Sequence, residues 1–207
     1  MDPMANDATD ELFLGYDARI APVEWKDRWT PAAAGWLLRH DVVVPLSVDY
    51  LIWPSAWRID DEVTGWRGPV QGLWVDLRSL KSHLLARRGH WWIIAIFLKC
   101  RSLLPVEQDE WRQRTRENKI APNSGHWKSL GYDVADRFLT SSLFCSRPGE
   151  DFALVERDWA AAIDEHHLFS DLDTAEGFRK LSDRRIPEHA PHFVYELTLV
   201  DSVTFSP

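Results

Sequence analysis

The stretch that most limits what this chain can become is residues 90–100, HWWIIAIFLKC. Its unbroken apolar core, 91–98, is too short to cross a bilayer, which takes about 18 residues or more. It also lacks the apolar/polar alternation of a strand with one wet face. A strand buried on both faces is the remaining solution, and such a strand needs cover on each side. The chain must therefore build layers around it. The cover on one side is legible just upstream. Leu73, Trp74, Leu77, Leu80, Leu84 and Leu85 recur at helical spacing, with Arg78, Lys81, Arg87 and Arg88 between them, and Gly89 ends the pattern.

Other elements group around this pair. Leu12-Phe13-Leu14-Gly15-Tyr16 reads as a short first strand, and 192–203 (HFVYELTLVDSV) alternates as a closing one. Pro105 opens a polar helix running to about Asn118, with Trp111 among its charges. Val134, Ala135, Phe138 and Leu139 fall on one helical stripe, which predicts a helix over 132–145. A second is expected over 152–166 and a third over 174–184, where Asp173 and Glu176 have capping-box spacing. Between Pro22 and Pro54 the signals are weaker: a short helix at 32–39 and a β-rich run at 41–53. No repeat of fixed period is visible. The expected fold is α+β: a small mixed or antiparallel sheet covered by four or five helices. A flexible acidic tail occupies residues 1–10 and a single domain occupies 11–207, a split near 125 being the competing division.

Several function classes are excluded on composition and motif. The polar, acidic start is neither a secretory signal nor a transit peptide, so a cytoplasmic protein is expected, with no membrane partner. Cys100 and Cys145 form no disulfide framework or zinc-ligand spacing and read as buried thiols. No G-x-S-x-G elbow, P-loop, dinucleotide fingerprint or H-E-x-x-H is present. Ten Lys or Arg stand against four Asp or Glu between Arg78 and Lys119, yet the formal net charge of the whole chain is −8, which repels a phosphate backbone. Nucleic acid is not an expected partner.

Two clusters have metal-ligand composition. In Asp164-Glu165-His166-His167 the adjacent histidines would diverge by about 100° on a helix, so a helix-end role fits them better. Glu188, His189 and His192 border a turn framed by Pro187 and Pro191, where His189 and His192 could meet one ion. A hydrogen-bonded loop histidine is the commoner outcome, and no cofactor or metal is expected.

The acidic side carries more information. Nine carboxylates lie between Glu150 and Glu176 against Arg157 alone. A second spot, Asp60-Asp61-Glu62, sits between Trp57 and Trp66, and the chain holds 12 tryptophans in all. A solvated face explains a charge run of this kind, and a core explains the tryptophans. The competing reading is a docking surface for a basic protein, with carboxylates speeding encounter and aromatics supplying anchors. Its candidate residues are Trp57, Asp60, Asp61, Glu62, Trp66, Asp164, Glu165, Asp171 and Asp173.

Gly131-Tyr132-Asp133-Val134-Ala135-Asp136-Arg137 resembles a helix opening in a set of small uncharacterised bacterial proteins. The later run from His167-Leu168-Phe169 through Leu181-Ser182-Asp183 to Pro187-Glu188-His189-Ala190-Pro191 resembles the same set. An acidic, Trp-rich chain of this length also looks like the immunity proteins of bacterial polymorphic-toxin and contact-dependent systems. That resemblance implies a cytoplasmic inhibitor that binds a cognate, basic toxin domain and occludes its active site without turnover. It assigns no role to individual positions. A small enzyme of unfamiliar type using Glu188, His189 and His192, with or without a divalent metal, is the alternative, as is a regulatory subunit of a larger complex.

Overall fold

In a computed structural model, residues 10–20, 73–123, 125–139, 158–164, 166 and 168–205 are described. The expected elements at 32–39 and 41–53, the tail at 1–9 and the loop from Trp57 to Trp66 lie outside them. The strands are β1 (Glu11–Ile20), β2 (Gly89–Lys99), β3 (Lys128–Asp136) and β4 (His192–Phe205). They form one four-stranded sheet in the order β1-β2-β4-β3, every neighbouring pair antiparallel. Three helices cover it among the described residues, rather than four or five: α1 (Leu77–Leu84), α2 (Pro105–Thr115) and α3 (Leu172–Arg185). None is long and apolar enough to cross a membrane. The sheet draws strands from both sides of position 125, so no boundary divides it there.

β2 is central, and Ile93 through Leu98 are buried without interruption. On one face α1 and α3 pack: Leu80 and Leu84 against Trp91, Ile93 and Ala95, and Ala175 and Phe178 against Val134 and Val194. On the other face Ile94, Ile96, Leu98, Tyr195 and Leu197 meet Trp111 of α2, whose ring stands edge-on to Phe193 at 5.9 Å. Each of the valine, leucine, isoleucine and phenylalanine side chains among them gains about 1.5–3 kcal/mol from burial. Cys100 is buried in this second layer, as expected of a thiol acting as a small hydrophobe.

The predicted helix over 132–145 is corrected. Residues up to Asp136 are strand β3, Phe138 is 56% exposed, and Leu139 takes a left-handed φ of 58° in the turn that follows. Tyr132, Val134 and Asp136 pair with Glu196, Val194 and His192. The bulge at Leu130 offsets the alternation upstream, which left the shorter run looking helical.

The described elements repeat. Each edge strand carries Leu-Gly-Tyr-Asp, at Leu14-Gly15-Tyr16-Asp17 in β1 and at Leu130-Gly131-Tyr132-Asp133 in β3. Both leucines sit in a β-bulge, and both glycines have φ near +138°. Both tyrosines exchange a pair of 2.8 Å backbone hydrogen bonds with an aromatic residue ahead of a helix, Tyr16 with Trp74 and Tyr132 with Phe169. Two residues beyond that aromatic comes the helix N-cap. Asp76 accepts from the Ser79 N–H and hydroxyl at 2.8 and 2.7 Å; Asp171 accepts from the Thr174 N–H and hydroxyl at 2.8 and 2.6 Å. The N-cap of α3 is thus Asp171, not Asp173. Each helix then returns to a central strand, and β2 pairs with β4 through Ile96 and Leu197. Those two residues also face Gly15 and Gly131 on their respective edge strands. The register therefore defines an approximate two-fold axis normal to the sheet at the Ile96–Leu197 pair.

Candidate functional site

The carboxylates singled out in the sequence have local partners wherever they are described. Asp164 Oδ1 accepts the N–H groups of His166 and Leu168 at 2.8 and 3.0 Å, closing the tight turn in which Ile163 bridges Phe169. His166 therefore lies in a turn and not at the end of a helix; its ring meets Trp92 edge-on at 5.8 Å. Asp171 caps α3, and its hydrogen bonds from Thr174 hold its pKa below the usual carboxylate range. Asp173 pairs with Arg101, both side chains largely exposed, a contact worth little in stability. Asp164, Asp171 and Asp173 are brought to the start of α3 by the turn and the cap. Glu165, Trp57, Asp60, Asp61, Glu62 and Trp66 lie outside the described residues.

The histidines at the other end of α3 separate. Pro187–His189 forms a single 3-10 turn, with His189 half-exposed and its Nδ1 4.0 Å from Asp136. His192 opens β4 with its side chain fully buried, and its Nδ1 lies 2.9 Å from Asp183. The same Asp183 oxygen accepts the His192 N–H at 2.7 Å. The two rings thus address different carboxylates, with Glu188 exposed beside them. Among the described residues no three His, Cys, Asp or Glu side chains are placed to hold one metal ion.

His192 ends a polar chain that runs the length of α3. The Ser102 hydroxyl donates to Glu176 at 2.6 Å, and Arg179 bonds Glu176 at 2.9 Å and Asp183 at 3.0 Å. Glu176, Arg179 and Asp183 recur at i, i+3 and i+7, so one helix face aligns them. That spacing of opposite charges was the available sequence signal for Arg179 and Asp183, which the sequence reading passed over. The chain ties the end of β2 to the start of β4 across α3. An Asp–His pair acts as a base only if its free nitrogen can reach a proton. Among the described residues Nε2 of His192 is buried with no hydrogen-bond partner, and the two Asp183 bonds to the His192 N–H and Nδ1 join α3 to the start of β4 as a clasp.

A second charged cluster gathers where β1 begins and β2 ends. Lys99 bonds Glu11 at 2.6 Å and Glu196 at 3.0 Å, and its ammonium sits 5.9 Å from the centre of the Tyr132 ring. Burial works to lower the Lys99 pKa, but the two carboxylates outweigh it and hold the ammonium above its ordinary value. A lysine held charged in this way is a poor nucleophile. Burial raises the Tyr132 phenol as well. No protein-family model, curated protein or solved structure matches the chain.

Proposed function

We propose that the chain is a binding protein of the immunity type, acting in the cytoplasm of a bacterium, which holds a basic cognate toxin domain and blocks its active site without turnover. The observation that carries this reading is the charge layout. Carboxylates concentrate between Glu150 and Glu176 and at Asp60-Asp61-Glu62 in a chain of net charge −8. Toxic nucleases act on a polyanion and are commonly basic, so an acidic surface both speeds encounter and competes with substrate. The exposed Asp171 and Asp173 stand at the start of α3, an element joined to the sheet by its polar clasp.

The test has two stages. A protein captured on the tagged chain is expressed alone and then together with it. Growth arrest that the chain relieves supports the reading, and arrest that it fails to relieve overturns it. Asp60→Lys, Asp61→Lys and Glu62→Lys together should then slow association by about tenfold and flatten its salt dependence. An unchanged association rate would remove that loop from the interface.

A further inference from the structure

The two halves of the sheet treat one equivalent position in opposite ways. In the second half, the helix residues two and five places after the N-cap are Asp173 and Glu176. The chain leaving β2 answers both: the part-buried Ser102 hydroxyl donates to Glu176 and ties the helix to the sheet, while Arg101 pairs with Asp173 at the exposed surface. In the first half the same two places are Arg78 and Lys81. The facing strand end, at the two-fold-related position on β4, offers Ser202 and Val203 instead. Lys81 reaches back to Asp201 at 2.5 Å. Among the described residues Arg78 and Lys119 have no ion-pair partner.

The unclamped position is an open groove of about 910 Å³ between α1, residues 119–121 and the end of β4. Its apolar lining is Leu77, Leu85, Ile120, Ala121, Val203 and Phe205. Leu85 and Ile120 are 68% and 52% exposed, so two of the five exposed large apolar side chains among the described residues converge on one groove. Arg78 and Lys119 stand over it; Lys119 is close enough to Asp76 to help lower that carboxyl's pKa, and with Lys81 and Asp201 paired the described lining keeps a net positive charge centred on Arg78.

We propose that this groove docks an acidic, apolar-anchored segment of a protein partner. Its carboxylates meet Arg78 and Lys119, and its aliphatic or aromatic side chains seat on Leu85, Ile120, Val203 and Phe205. The partner thereby supplies in trans the anion-to-cation contact that Asp173 and Arg101 make within the second half. Charge complementarity selects an acidic occupant, and an open groove of about 910 Å³ lined by Leu77, Leu85, Ile120, Val203 and Phe205 has room for several side chains of a chain segment. The proposal stands apart from the inhibitor reading, which concerns carboxylates on other elements.

The experiment titrates the full chain, labelled with nitrogen-15, with the peptide acetyl-Glu-Leu-Asp-Phe-Glu-Leu-amide. Binding should move amide resonances of residues 76–85, 119–121 and 203–205, and fluorescence anisotropy of a labelled peptide gives its affinity. Arg78→Glu and Lys119→Glu, both at exposed positions, should each weaken binding by about tenfold while leaving the melting temperature in place. A peptide with Lys in place of its three acidic residues should not bind. Three results would overturn the proposal: no binding of the acidic peptide, equal affinity in the Arg78→Glu variant, or shifts confined to other elements. Occupation of the groove by laurate with no response to the peptide would also overturn it, assigning the site to a small amphiphile.

Discussion

Gly131→Ala should be among the most damaging single-methyl additions to this chain, and Gly15→Ala should match it. Gly131 has φ of 138°, a region essentially reserved for glycine, where a side chain costs about 1–3 kcal/mol. An added Cβ would also stand 2.8 Å from both the Leu168 Cβ and the Phe169 carbonyl oxygen. Neither neighbour can yield cheaply, because Phe169 is locked to Tyr132 by two backbone bonds and Leu168 is buried in the core. Overpacking of this kind adds about 1–3 kcal/mol. The two together come to about 3 kcal/mol, a large share of the roughly 5–15 kcal/mol that holds a domain folded. Gly15 meets the same geometry, 2.8 Å from the Trp74 oxygen and 3.0 Å from the Leu73 Cβ at φ of 139°. Urea unfolding followed by tryptophan fluorescence should place both midpoints about 1.5 M below the parent, given a slope near 2 kcal/mol per M. Gly125 is the control: its φ is also positive, at 79°, but nothing lies within 4 Å of an added Cβ. Gly125→Ala should cost only about 1 kcal/mol. If Gly131→Ala is no worse than Gly125→Ala, the close approach of the 168–169 segment to β3 is wrong.

Three further outcomes are expected. Asp76→Ala should lose about 1 kcal/mol by removing the α1 cap; burial raises this carboxyl's pKa, the Ser79 bonds outweigh that and lower it, so the cap's contribution is full above about pH 3.9 and fades as pH falls through its folded value, which parallel urea curves of parent and variant at pH 7 and pH 2.5 will show. At the alkaline end, Lys99 is held above its usual range, and burial raises Tyr195 well above its own; stability from both is complete below about pH 10 and is lost as pH rises through their folded values, so the ultraviolet absorbance of the Tyr195 phenolate should appear only with unfolding, and a phenolate that forms in the folded chain, as judged against a Tyr195→Phe variant, would refute the burial argument. In a Cys145→Ser variant, Cys100 should react with an aromatic disulfide reagent only after denaturant is added, since burial pushes its thiol pKa up and shields it; prompt reaction in native buffer would contradict this.

Where one physical signal dominated, the sequence was a good guide. Eight apolar residues in a row suit a doubly covered strand, and β2 is that strand inside the sheet. Amphipathic spacing placed α1, and alternation placed β4. Residues 132–136 failed because Val134, Ala135, Phe138 and Leu139 suit a helical stripe as well as a strand leading into a turn. Only the pairing with β4 decides between them. The internal repeat was missed because its two copies are interrupted by connections of different length, so no constant period exists to detect. Its shared letters, Leu-Gly-Tyr-Asp and an Asp with a hydroxyl residue three places on, are few, and each has a local role that does not advertise the other copy. Asp164 and Asp171 were visible as charges but not as turn and cap, since those roles depend on which backbone N–H groups come within reach.

The two-fold arrangement about Ile96 and Leu197 has a further consequence. Two identical halves, each offering the exposed edge of its central strand, would join as a symmetric dimer, and any substitution would then appear on both sides at once. Within a single chain that constraint is lifted, and the pairing of β2 with β4 no longer depends on concentration. One half can tie Glu176 to the chain leaving β2 while the other turns the same two places into Arg78 and Lys81, over a groove that none of the described residues fills. Asymmetry that a homodimer could not acquire by one mutation becomes available here residue by residue, with the sheet itself left unaltered.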